Sequence, residues 1–130
     1  MAANRIEGYR RWFEYEQDAH EKVFASLETV PRERRQSSEY RKAASWMAHL
    51  VAARKLWLGR LGAGPGFAGE FFPEDVDLMQ VKADWQEVAA QWTAYLASAD
   101  DDEVNRVFEY QSLEGDRFRN QVEDILTQMF

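Results

Sequence analysis

The chain has 130 residues, 45% of them hydrophobic and 14% aromatic, and carries a formal net charge of −7. Length and apolar content suffice for one packed domain and argue against a disordered segment. The absence of cysteine excludes disulfides, thiolate nucleophiles and cysteine-ligated metals, and the acidic balance argues against nucleic acid and anionic lipid as partners.

The opening Met1-Ala2-Ala3-Asn4-Arg5-Ile6-Glu7 runs into charge without an apolar core, so no signal peptide is read there. No apolar run is long enough to cross a bilayer. With the lack of cysteine, a cytoplasmic location is expected. The first helix is predicted from about Asn4 to Thr29, with Tyr9, Trp12/Phe13, Val23/Phe24 and Leu27 at helical spacing and Pro31 beyond its end. Glu16 and His20 interrupt that stripe one turn apart, where a local carboxylate–imidazole hydrogen bond is the plain reading.

Arg32, Arg34, Arg35, Arg41 and Lys42 read as a solvated basic surface, with an anion site as the alternative. Ser37 or Ser38 can cap a second helix that reaches about Leu61. This helix holds the most apolar run of the chain, Ser45 to Gly59, with His49 in its middle. Met47, Leu50, Arg54, Trp57 and Leu61 form one row, and Trp46, Leu50, Ala53 and Trp57 a second. Both are expected to be buried. His49 is therefore either a hydrogen-bonded core histidine or a metal ligand, and the residues alone favour the first.

Gly62-Ala63-Gly64-Pro65-Gly66-Phe67-Ala68-Gly69 lacks the Gly-Lys-Ser/Thr ending of a phosphate loop and reads as a connection between helices. Glu70-Phe71-Phe72-Pro73 is expected to pack its aromatics on one end of the helices. A third helix is predicted from near Asp77 to Ser98. Asp77 and Gln80 resemble a capping box, and Leu78, Val81, Trp85, Val88/Ala89, Trp92 and Tyr95/Leu96 form the buried stripe. Asp100-Asp101-Asp102-Glu103 would repel a helix C-terminus and is expected to be a solvated turn.

Val107-Phe108-Glu109-Tyr110 alternates as a strand does, and Leu113 to Asp116 offers a hairpin turn. A last helix is predicted from about Arg117, N-capped by Asp116, with Phe118, Val122, Ile125 and Met129 on one face. Met129 and Phe130 follow with no glycine cap, which suggests an apolar surface covered by a second copy of the chain.

Three stretches laid out in this order resemble the DinB-like (YfiT-like) metalloenzyme family. They are Tyr15-Glu16-Gln17-Asp18-Ala19-His20-Glu21-Lys22, Met47-Ala48-His49-Leu50-Val51-Ala52-Ala53, and Gly115-Asp116-Arg117-Phe118 leading to Val122-Glu123-Asp124-Ile125-Leu126. The resemblance implies an all-α, four-helix bundle with a long crossover between the middle helices, often dimeric. It also implies a divalent metal (zinc, nickel or manganese) held by three histidines, and in some members thiol-dependent transfers. His49 matches the first ligand. The other two are expected in a segment like Asn-His-x-x-His-His-Arg-Gly-Gln, which would begin where the chain stops at Phe130.

The expectation is thus a shortened fourth helix and an incomplete metal site, with His20 and Glu16 as the nearest candidates to rescue it. His20 stands where many relatives have asparagine. Two functions follow from the resemblance and the residues. One is a metal-dependent thiol transferase or hydrolase acting on a small-molecule or thiol substrate. The other is a non-catalytic helical dimerisation or interaction module.

Overall fold

The computed structural model describes residues 5–130. Among them are five α-helices and one antiparallel hairpin: α1 Arg5–Glu28, α2 Ser38–Arg60, α3 Leu78–Ser98, α4 Asp101–Asn105, β1 Val107–Gln111, β2 Arg117–Gln121 and α5 Val122–Met129. The chain is mostly helical, as its periodicity predicts, and the hairpin falls where alternation replaces it. The expected helix start at Asn4 lies outside the described residues. No described helix is long and apolar enough to cross a membrane. The chain divides into two compact units: Gln17–Gln91, and the described residues up to Glu16 together with Trp92–Phe130.

In the Gln17–Gln91 unit the buried row of α2 is Ala44, Met47, Val51, Arg54 and Leu58, which steps by three and four. The expected second row is not buried throughout: Trp46 is 52% exposed, and Leu50, Ala53 and Trp57 are half-buried. Trp46 sits one residue, about 100°, around the helix from Met47, enough to leave the core face. Arg54 is only 7% exposed and is engaged by interactions within the chain. From α3, Leu78, Val81, Trp85, Val88 and Ala89 are buried, the predicted stripe.

The ends of these helices explain their limits. Ser37 Oγ accepts the Tyr40 amide at 3.2 Å and starts α2. At the other end the Ala63 amide reaches the Leu58 carbonyl and the Gly62 amide reaches that of Gly59. Gly62 sits at φ 82°, which makes a Schellman closure that only glycine adopts without strain. Arg35 closes α1 by donating from Nε to the Val30 carbonyl and from its terminal nitrogen to that of Glu28. It is a helix cap, not part of a purely solvated basic surface. Asp77 accepts the Met79 amide at the start of α3, but the capping box is not completed by Gln80, whose amide goes to Asp84.

The second unit corrects the sequence reading twice. Asp100 N-caps α4 through the Glu103 amide, so the acidic run opens a short helix instead of forming a solvated turn. Negative charge there faces the positive end of the peptide dipoles. The last helix starts at Val122, not near Arg117, because Arg117–Gln121 pairs with Val107–Gln111. Phe118 is therefore on a strand, stacked on Tyr110 at 5.7 Å. A capping box between Gln121 and Asp124 begins α5. Phe130 rests its ring against Phe13 at 5.3 Å and Trp92 at 5.2 Å, so the end of α5 contributes to a core. Ile6, Leu96, Val104, Val122 and Leu126 are also buried.

Candidate functional site

The long connection between α2 and α3 places Phe71 and Phe72 beside His49, at the middle of α2 and not at a helix end as expected of Glu70–Pro73. His49 Nδ1 lies 2.7 Å from the Phe71 carbonyl oxygen. Its ring stacks on Phe72 at 4.1 Å, meets Phe71 edge-on at 4.7 Å, and has Trp46 at 5.7 Å. A carbonyl only accepts, so Nδ1 carries a proton. In the neutral ring the lone pair is then on Nε2. The imidazole is held from several directions, with one nitrogen committed to orientation.

His49 borders a cleft of about 150 Å³ lined by Lys42, Ser45, Trp46, Phe72, Pro73 and Glu74. Lys42, Ser45, Trp46 and His49 reach it together because spacings of three, four and seven share a helix face. A second cleft of about 290 Å³ shares Lys42, Ser45 and Glu74 and adds Ser38, Arg41 and Asp75. Asp75 has φ 52°, the one positive φ outside glycine among the described residues. It forms an ion pair with Arg41. Asp tolerates that backbone better than most residues, and the ion pair ties the turn carrying Glu74 to α2.

The other expected site residues lie on α1. His20 is buried and stacks on Trp85 at 3.9 Å with ring planes 18° apart. Glu16, one turn earlier, is half-buried, and both are engaged in interactions within the chain. Among the described residues no three His, Asp or Glu side chains gather where they could hold a metal. A catalytic divalent site needs about three protein donors and an open position. The donors in hand do not make that set, and His49 is the best-oriented of them.

A different polar constellation occupies the other unit. Tyr95 donates its hydroxyl to Glu103 at 2.6 Å, and Arg106 grips both oxygens of the same carboxylate at 2.8 and 2.9 Å. The Arg106 hydrogen bond is the main reason Glu103 is held below the usual carboxylate range. Burial first, then the bond to Glu103, pushes the Tyr95 phenol well above its ordinary value. Arg106 is raised in turn, chiefly by its hydrogen bond to Glu103. Every member has a partner, so the group is suited to joining α3 and α4, not to chemistry.

Sequence reasoning missed Lys42, Trp46, Phe72 and Glu74 as a group. The face shared by Lys42, Trp46 and His49 was visible in their spacing. The arrival of Phe72 and Glu74 depends on the path of an irregular connection, which no periodicity encodes. Compared with family models, curated proteins and solved structures, the chain matches none.

Proposed function

We propose that the chain is a DinB-like helical domain related to metal-dependent thiol transferases and hydrolases, with His49 its metal-facing imidazole and an incomplete ligand set in this chain. The observation that carries this reading is the 2.7 Å contact between His49 Nδ1 and the Phe71 carbonyl. Metal-binding histidines ordinarily use one ring nitrogen in this way, which fixes the ring and leaves the other as donor. His49 would supply one nitrogen of such a site. When complete, such a centre supplies Lewis-acid activation of a bound thiol or water. The cysteine-free composition fits a reducing cytoplasm.

Metal titration tests the reading directly. Metal-stripped chain is titrated with zinc, nickel and manganese in turn, beside His49→Ala. Weak, saturable binding lost in His49→Ala is the expected result. Identical isotherms for the two proteins would remove His49 from the site. Tight stoichiometric binding by the unmodified chain would show that the ligand set is complete after all.

A second reading, a non-catalytic dimerisation module, is favoured by one specific observation. Trp12 and Tyr15 on α1 are 60% and 69% exposed, with rings 6.1 Å apart. Adjacent exposed aromatics are costly to leave in water and are common at interfaces. Sedimentation from micromolar to near-millimolar concentration should show a homodimer that Trp12→Lys disrupts. A monomer at every concentration rules this reading out.

A further inference from the structure

We infer that the cleft bounded by α2 and residues 72–74 is a binding site for a free α-amino acid with an apolar side chain. This goes beyond the metal reading and does not rest on it. Lys42 and Glu74 both line the cleft, yet among the described residues neither side chain has an ion-pair or hydrogen-bonding partner. Two opposite charges beside one cavity, not joined to each other, complement a ligand carrying both an ammonium and a carboxylate. Lys42 offers three donors to a carboxylate, and Glu74 two acceptor oxygens to an ammonium.

The apolar part has its own place. Trp46 and Phe72, the latter 64% exposed, and the flat His49 ring stacked on Phe72 form the cleft's aromatic lining. Large aromatic surface left in water beside polar groups is the usual composition of a ligand site. The volume of about 150 Å³ is below the range of drug-sized pockets and limits the occupant to one small side chain. Lys42, Ser45 and Glu74 also line the neighbouring polar cleft, so the charges stand where an apolar recess meets a polar one. A zwitterionic head at that junction with its side chain toward the aromatics satisfies both. The Arg41–Asp75 ion pair is already closed and leaves Lys42 and Glu74 as the available charges.

The test is titration of the isotopically labelled full chain by NMR, in the presence of a chelator so that metal plays no part. The probes are L-leucine, L-leucinamide (no carboxylate), 4-methylpentanoate (no amine) and glycine (no side chain). The expected result is saturable shifts for L-leucine at Lys42, Ser45, Trp46, His49 and residues 72–74. L-leucinamide and 4-methylpentanoate, each lacking one charge, should bind roughly tenfold more weakly, the scale of one lost charge-assisted contact, and glycine should bind more weakly through its lost apolar contact. Lys42→Ala should weaken L-leucine and leave L-leucinamide unchanged, and Glu74→Gln should do the same with 4-methylpentanoate as the unaffected probe. Both side chains are exposed, so the variants keep the fold. Shifts that never saturate up to tens of millimolar, shifts outside the cleft, or equal affinity for L-leucine and its analogues would each overturn the assignment.

Discussion

The Tyr95–Glu103–Arg106 group and the Lys42–Glu74 cleft use similar side chains in opposite ways. In the first, a carboxylate accepts a phenol and a two-pronged guanidinium, and every charge is answered inside the fold. In the second, an ammonium and a carboxylate border the same space unanswered among the described residues, beside aromatic rings left in water. Closed polar groups add to stability, whereas open ones add little and remain available to a ligand. Truncation should therefore cost folding free energy around the first and binding around the second.

The largest contrast is between two tryptophans. Trp92 is fully buried and contacts Phe13, Tyr95 and Phe130. Trp92→Ala should lower stability by about 3–5 kcal/mol, the usual cost of emptying a large core site. Trp46→Ala should change it by no more than about 0.5 kcal/mol, as at an ordinary exposed position. Urea denaturation of both variants reads the difference, and similar losses would mean that the cleft wall is core.

The next effect is a pH dependence arising in the closed group. Glu103 has a depressed pKa, so its contribution is present above the ordinary carboxylate value of 4.5 and is lost as pH falls below it. Tyr95 has a raised pKa. Its contribution is present below the ordinary value of 10.0 and is lost as pH rises past it. Glu103→Gln should flatten the acid limb of the stability profile and Tyr95→Phe the alkaline limb. Thermal midpoints across the pH range test both, and unchanged limbs would show that the group contributes nothing measurable. The smallest effect belongs to Lys42→Ala, which should leave the midpoint within error, since Lys42 has no partner to lose among the described residues.

Much of this architecture was legible as spacing. The α3 stripe from Leu78 to Trp92 was readable because each apolar residue recurs at the helical interval and the helix is long. Ser37, Pro31 and the acidic break after Ser98 marked boundaries through local chemistry. The stretch from Arg117 was misread because Phe118 has the right interval from Val122 to look helical. Five-residue pairing with Val107–Gln111 settled its conformation, and pairing is a non-local property. The acidic run was misread because the same charges that repel one helix end stabilise the start of the next. His49 stood out in the sequence, but its partners did not, because Phe71 and Phe72 arrive from a connection without period.

That connection also carries a glycine-rich run, Gly62 to Gly69. A methyl group added to Gly59 would sit 2.4 Å from Gly66 Cα, so the run is pressed backbone to backbone against α2 and its glycines provide clearance, not slack. For protein engineering this divides the segment sharply. Fusion partners or tags inserted between Gly62 and Gly66 would pry open a backbone contact and unmake the helix closure. Ala68–Glu70, where successive residues face solvent, is the permissive point for an insertion.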